Sequence, residues 1–282
     1  MATQDVAIVT DSAAALPVAA QSAYGVTVVP LRITIGGEEF LEGVNISPPR
    51  IVAALMSGER VTVREPTAED MAVAYARLAD EGARGILSVH LSHRMHDAAA
   101  SAREAATSSR VPVRVMDSGT VAMAQGFVAL AAAAVALHGR DLHAVETAAA
   151  ATMVGSRLMF TVATMDYLHR DGQVPRIVKS LSNVTGMRPL LSVVDGKVTM
   201  VARVRGTEAA RARVHQEMAA YRASLRRPAS AVALVGGGLE DGLQIEGPGA
   251  VAGATAGASL TAHAGPGTYV VAVAPMPDEY AI

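Results

Sequence analysis

The sequence predicts an α/β protein: an N-terminal, mostly parallel sheet with helices on both faces, followed by a smaller α+β region with antiparallel strands. Three observations carry this reading. Short apolar runs alternate with helix-like segments in β-then-α order from Asp5 to about residue 155, the order that builds parallel sheets through crossover helices. Runs such as Asp5 to Thr10 (DVAIVT) and Gly85 to Leu91 (GILSVHL) show little polar alternation, as expected of strands buried on both faces. Beyond residue 155 that order breaks, and Asp195-Gly196 between two β-rich runs is a hairpin signal. A chain of 282 residues has room for two domains, divided here as 1–155 and 156–282.

Taken in order, the first strand ends at Thr10, and Asp11-Ser12 can cap a helix through Ala13 to Ala23. Val26 to Ile35 is a single β-rich run, and Gly36-Gly37 offers a turn. Ser47-Pro48-Pro49 supplies an N-cap and a first-turn proline for a helix to Met56. Thr67 and Asp70 form a capping pattern before a helix whose apolar face is Met71, Ala74, Tyr75 and Leu78. A strand over Gly85 to Leu91, a helix over Ala98 to Ala106 and a strand over Val111 to Met116 follow, then a buried helix from Thr120 to Leu137 and one capped by Asp141. In the second half, Met159 to Ala163, Leu190 to Val194, Lys197 to Arg203, Ala231 to Val235 and Tyr269 to Ala274 read as strands. Asp166 to Arg170 is a short helix ended by Gly172, and Thr207 caps a helix to Ser224. The Gly- and Ala-rich stretch from Gly236 to Gly257 yields no assignment.

Composition narrows the function. The chain is 51% hydrophobic but only 3% aromatic, so Ala, Val, Leu, Ile and Met do the packing; such side chains also suit the wall of an apolar tunnel. A net charge of −2, with lysine only at Lys179 and Lys197, gives no field to attract nucleic acid or an anionic membrane. Without cysteine there are no disulfides and no thiolate chemistry. The alanine-rich Val121 to Leu137 reads as a buried helix rather than a membrane span, and the absence of an export signal places the protein in the cytoplasm.

Polar residues gather where parallel strands end, the place where such sheets bind ligands. They are Thr10-Asp11-Ser12, Ser92 through His96, and Asp117-Ser118-Gly119, each followed by a helix whose free N–H groups favour an anion. Helix capping accounts for the same residues. His90, His93 and His96 are three apart across a strand and its loop, a spacing that does not align them on a metal. Ser12 or Ser118 with His96 or His263 would make a hydrolase site, although neither serine sits in a G-x-S-x-G elbow. No phosphate-binding glycine loop follows the first strand. His263 lies in the glycine-bearing AHAGPG, either a turn before the last strand or a place where backbone approaches a ligand closely.

Five blocks in order resemble the DegV family of fatty-acid-binding proteins: IVTDSAAALP at 8–17, VRVMDSGTVAMAQG at 113–126, FTVATMDYLHRDGQVPRI at 160–177, MRPLLSVVDGKV at 187–198 and AHAGPG at 262–267. The resemblance implies a carrier without cofactor or catalytic residues. It would bury an acyl chain in a tunnel and present the carboxyl group at the domain interface to a separate fatty acid kinase subunit. The alternatives are a Ser/His hydrolase in the same cleft and a ligand-free regulatory scaffold.

Carried over by position, the family's carboxylate-binding threonine falls on Val63, or on Thr62 after a one-residue shift, and its carboxylate-binding serine falls on His96. Arg205 and His263 match the family's late arginine and histidine, whereas another family arginine falls on Gln173. Ser92, Ser118 and Met123 complete the expected ligand-binding set. A charged His96 in place of hydroxyl donors would give a charge-assisted hydrogen bond to the carboxyl group.

Overall fold

The computed structural model describes residues 5–170, 186–235, 244–246 and 256–280. Strand β1 (Val6–Asp11) runs into a 3₁₀ turn at Ser12–Ala14, and helix α1 (Val18–Tyr24) follows only after Pro17. The single helix expected from Ala13 is therefore interrupted. Ala15 takes a left-handed φ of 51°, and Pro17 lacks the N–H that would continue a helix. Pro30 likewise divides the expected Val26 to Ile35 strand into β2 (Val26–Val29) and β3 (Arg32–Ile35), which lie in different sheets.

Strand β4 (Glu38–Leu41) pairs with β3 across the Gly36-Gly37 turn, helix α2 (Pro48–Met56) follows, and β5 (Val61–Arg64) closes a three-stranded antiparallel sheet, β4-β3-β5. Neither β4 nor β5 is foreseen from the sequence. Each is four residues long and carries charge, which obscures strand character.

Helix α3 (Ala68–Asp80) begins with the expected capping box: Asp70 N–H donates to Thr67 Oγ1 at 3.2 Å and Thr67 N–H to Asp70 Oδ2 at 2.8 Å. Then come β6 (Gly85–His90), α4 (Ala98–Ala106), β7 (Val113–Asp117), α5 (Ala122–Leu137) and α6 (Leu142–Gly155). The sheet β2-β1-β6-β7 is parallel throughout. Residues of β1 alternate between two cores, Val6 and Ile8 against α1 and α5, Ala7 and Val9 against α3 and α4, so helices cover both faces as expected.

The rest of the chain supplies β8 (Arg157–Thr161), α7 (Asp166–Arg170), β9 (Met187–Val194), β10 (Lys197–Arg205), α8 (Thr207–Ala223), β11 (Pro228–Leu234), β12 (Gln244–Glu246), α9 (Ala258–Ala264) and β13 (Tyr269–Pro275). Six of these strands form one antiparallel sheet, β10-β9-β8-β13-β11-β12, with Asp195-Gly196 as the β9–β10 turn. The expected α+β character of the second half is present. Two details differ. Gly206, not Thr207, caps α8, and Thr207 Oγ1 instead accepts a hydrogen bond from Arg188 Nε at 3.1 Å. His263 stands inside α9 rather than in the turn before β13. The helix end expected at Gly172 lies outside the described residues.

Helix α5 joins the two halves. Every residue from Ala122 to Ala136 is buried, so it has no solvent face and its apolar character all round is explained. One side meets the parallel sheet, and the other meets Ala229, Ala231 and Ala233 of β11 and Val270, Ala272 and Ala274 of β13. Helix α8 covers the outer face of the six-stranded sheet through Ala210, Val214 and Met218. Gly126 lets α5 reach the 3₁₀ turn, since a Cβ there would stand 2.7 Å from the Ala14 carbonyl oxygen. Replacing Gly126 by Ala is therefore expected to cost about 1–3 kcal/mol through overpacking against backbone. Urea unfolding of the variant measures it, and an unchanged midpoint would show the contact to be soft.

Candidate functional site

Between the strand-end loops of the parallel sheet and helix α9 lies a cavity of about 60 Å³. Leu31, Leu91, Met95 and Val121 wall it from the first half, and Leu158, Phe160, Leu260 and Val270 from the second. The polar side chains in its wall are His96, His263, Ser259 and Thr268. A second, much smaller space of about 10 Å³ shares Leu158, Leu260 and Val270 with the first, so the two are neighbours across those side chains. Its wall is mostly alanine (Ala15, Ala122, Ala231, Ala233, Ala256 and Ala272), with Met123 as the largest flexible member. Small side chains facing one another across a sheet–helix interface leave room that leucines would fill. Ala15 and Ala122 both hold left-handed backbone, φ 51° and 56°, a local strain at the wall of this space.

The polar end is built by two elements. His96 closes the loop after β6, where Asp97 caps α4 by accepting from Ala100 N–H at 3.0 Å. His263 comes from α9, and the two imidazole rings lie 5.1 Å apart, tilted by 46°. Glu65 Oε2 stands 3.4 Å from His96 Nδ1 on the outer side. A pair of imidazoles in the wall of an apolar cavity can donate hydrogen bonds to a polar head group or accept them from it.

Two fully buried carboxylates hold this end together. Asp11 accepts from Ala13 N–H and Leu91 N–H, both at 3.1 Å, and from Gln125 Nε2 at 3.1 Å. Glu42 sits at the start of α9, accepting from Ser259 N–H at 2.7 Å and from Ser259 Oγ at 3.0 Å through Oε1, and from Ser12 Oγ at 2.6 Å through Oε2. Burial pushes the Glu42 carboxyl above the ordinary carboxylate range, against the lowering effect of its Ser12 and Ser259 hydrogen bonds; the nearby Asp11 charge adds to the rise. Glu42 and Ser259 are absent from the sequence-derived candidates because 217 residues separate them.

The expected site residues divide. His96, His263 and Met123 stand on the two cavities. Ser92 and Ser118 line a separate polar cleft with His93, Arg94 and Asp117, where Ser92 Oγ donates to the Gly196 carbonyl at 2.8 Å and His93 pairs with Asp117. Thr62 and Val63 point to opposite faces of β5: Val63 enters the core under the three-stranded sheet, and Thr62 faces a shallow groove beside Gly36, Gly37, Arg60 and Arg64. Neither lines the cavities. Arg205 is exposed at the end of β10, outside the cavity walls, and Gln173 lies outside the described residues.

Ser12 Oγ donates to Glu42, and Ser118 Oγ reaches only the Thr120 carbonyl, at 3.4 Å. Neither hydroxyl meets a histidine, so the expected alternative hydrolase constellation is not assembled from those residues. His90, His93 and His96 face three different surroundings, and among the described residues no cluster of three His, Asp or Glu side chains could hold a metal ion.

The profile of a family described as "Uncharacterised protein, DegV family" matches residues 5–276. The chain belongs to the DegV family. A DegV domain-containing protein of Streptomyces coelicolor is 41% identical over 222 residues, 77% of each chain, and one of Deinococcus radiodurans is 31% identical over 278 residues, 96% of this chain and 99% of the other. Among solved structures, a fatty-acid-binding DegV family protein from Thermus thermophilus superposes with a TM-score of 0.85 at 27% identity, covering 96% of this chain and 99% of its own. A DegV protein from Bacillus subtilis, described as fatty acid binding, shares the fold with a TM-score of 0.81 at 19% identity over 95% of this chain and 98% of its own. The mixed parallel and antiparallel architecture described above is thus the DegV architecture. No described helix is long and apolar enough to cross a membrane.

The raised Glu42 carboxyl makes a signed prediction. Stability from this group is complete below the unfolded glutamate value of about 4.3 and is lost as pH rises through the higher folded value. Glu42→Gln keeps the shape and removes the ionisation, so its denaturation midpoint is expected to fall less than that of the wild type as pH rises from 4.5 to 8. Parallel curves for the two proteins would show that Glu42 does not carry the effect.

Proposed function

We propose that this protein binds a long-chain fatty acid or a similar amphiphile, with the chain in the paired apolar cavities and the carboxyl group at the His96–His263 end. It acts as a carrier rather than a catalyst, and it presents the carboxyl group to a separate fatty acid kinase subunit where an N-terminal unit, residues 1–155, meets a C-terminal one, residues 156–282. One observation carries the reading: an apolar space has two imidazoles, 5.1 Å apart, in its wall, between elements from both halves of the chain. Relatives of this fold described as fatty acid binding support it.

The spaces as they stand, about 60 and 10 Å³, are smaller than a long acyl chain, so binding requires their walls to move apart, and burial of the chain supplies the energy for it. Each buried methylene contributes about 0.8 kcal/mol, so a chain of about fourteen gives roughly 11 kcal/mol before losses. Immobilising ligand and loops removes part of this and leaves sub-micromolar affinity within reach. The head group contributes orientation more than affinity, because desolvating a carboxylate offsets much of its pairing energy. Glu42 already occupies Ser259 and the start of α9. Arg205, exposed at the rim of the hairpin, is assigned to the partner-facing surface rather than to the ligand.

Gentle purification followed by lipid extraction and mass spectrometry tests the reading; a protein that neither carries nor takes up a fatty acid is not a carrier. His96→Ala is expected to weaken palmitate binding by about 1 kcal/mol, roughly fivefold, in calorimetry. Unchanged affinity would remove His96 from the head-group site. Filling the second space should set chain length: Ala233→Leu is expected to weaken stearate by about tenfold while laurate stays within about twofold, since each excluded methylene loses about 0.8 kcal/mol. Equal effects on both acids would place the chain end elsewhere.

A further inference from the structure

Behind Asp11 runs a buried chain of side-chain hydrogen bonds that plays no part in the binding described so far. Ser88 and His90 are two residues apart on β6 and so face the same way; Tyr75 reaches them from α3. Tyr75 OH lies 2.8 Å from Ser88 Oγ, Ser88 Oγ 2.7 Å from His90 Nε2, and His90 Nδ1 2.9 Å from Asp11 Oδ2. Ser88, His90 and Asp11 have no solvent-exposed surface, and Tyr75 has 1%. The atoms follow the Ser–Nε2, Nδ1–Asp order of a hydrolase triad. Ser88, however, lines neither cavity, so a substrate has no route to it.

Hydrogen bookkeeping sets the direction of the chain. Burial pushes the Tyr75 phenol up to about 12, so it is protonated and donates to Ser88. A serine hydroxyl has one hydrogen, and since Tyr75 donates to the oxygen and Ser88 Oγ has no other partner among the described residues, the one acceptor in reach of that hydrogen is His90 Nε2. The imidazole then accepts at Nε2 and carries its proton on Nδ1, aimed at Asp11.

Asp11 is the group this proton orients. Its Oδ2 also accepts from Leu91 N–H, and its Oδ1 accepts from Ala13 N–H and from Gln125 Nε2 at the first turn of α5. The turn that carries His96 hangs from that anchor, with Met95 N–H and His96 N–H both donating to the Ser92 carbonyl, at 2.9 and 3.2 Å. Ala13 and Leu91 are themselves cavity wall.

We propose that His90, held as the Nδ1–H tautomer, is a positioning residue that fixes Asp11 and through it the His96 end of the ligand cavity. The proposal rests on the head-group reading given above only for its consequence in binding. The tautomer stands apart from that reading.

Long-range ¹H–¹⁵N spectra of the ¹⁵N-labelled wild-type protein at pH 7 test the direction. The expected pattern for His90 is a protonated Nδ1 and a bare Nε2; an Nε2–H or doubly protonated ring overturns the proposal. Two variants test the positioning. His90→Asn keeps an amide donor near the place of Nδ1, whereas His90→Gln extends its amide toward Ser88 and leaves Asp11 without that donor. Palmitate affinity is expected to fall about tenfold in His90→Gln and to stay within about threefold in His90→Asn, with hexadecanol, which lacks the carboxylate, within about twofold in both. Equal losses for the acid and the alcohol, or a glutamine variant with unchanged palmitate affinity, overturn the positioning role. If wild-type protein takes up neither ligand, the carrier reading fails while the spectra still decide the tautomer. Should the glutamine variant not fold, the wild-type spectra alone decide.

Discussion

The carboxylate of Asp11 is the constraint on which the arrangement of the site depends. It sits at the end of the central strand β1 with no contact with water, so its charge has to be met inside the protein. Four donors meet it, and they come from three places: the 3₁₀ turn, the end of β6, which supplies both the Leu91 N–H and the His90 imidazole, and the first turn of α5. A buried ion with this many partners resists displacement, because moving any partner away leaves charge uncompensated in a medium of low polarity. The loops around the cavity are thereby held by backbone hydrogen bonds to one fixed atom pair rather than by packing alone. Glu42, whose charged form burial disfavours, ties Ser12 to the start of α9 through hydrogen bonds and so joins sequence-distant walls of the same space.

What those walls enclose follows from composition. A protein with so few aromatic residues fills its interior with alanine, valine and leucine, and wherever alanines face one another the interface is thin. Helix α5 is buried all round because alanine lets two sheets approach it from opposite sides. The same economy leaves the second space between β11, β13 and α5 incompletely filled. Close packing and vacancy are thus two results of one choice of side chain, separated by how far apart the backbones are held.

Much of the fold is legible in the sequence because it is written locally. The Thr67–Asp70 capping box, the alternation of β1 and β6 with their helices, and the Asp195-Gly196 turn each use residues a few positions apart. The three-stranded sheet is illegible for the opposite reason: its strands are short and charged, Pro30 cuts β3 off from β2, and β5 pairs with β3 only across α2. The site is less legible still. Family motifs identify the segments around His96 and His263, yet they give no direction for a side chain; Thr62 and Val63 therefore turn to faces of β5 that do not reach the cavity. Ser92 looks like a head-group ligand in sequence, but its hydroxyl is spent on the Gly196 carbonyl of a hairpin more than a hundred residues away. His90 reads as a stray member of a histidine run until Asp11, seventy-nine residues earlier, is seen beside it.

The alanine-walled vacancy also bears on how long such a molecule lasts. Unfilled apolar volume forfeits dispersion contacts, at about 24 cal/mol per Å³ of residual cavity in measured cases. A lipid that restores those contacts stabilises only the folded form, and by mass action the gain grows with its free concentration. Since small changes in folding free energy alter how much of a protein survives cellular proteolysis, the carrier role proposed above would couple supply of cargo to abundance of the protein through the fold itself.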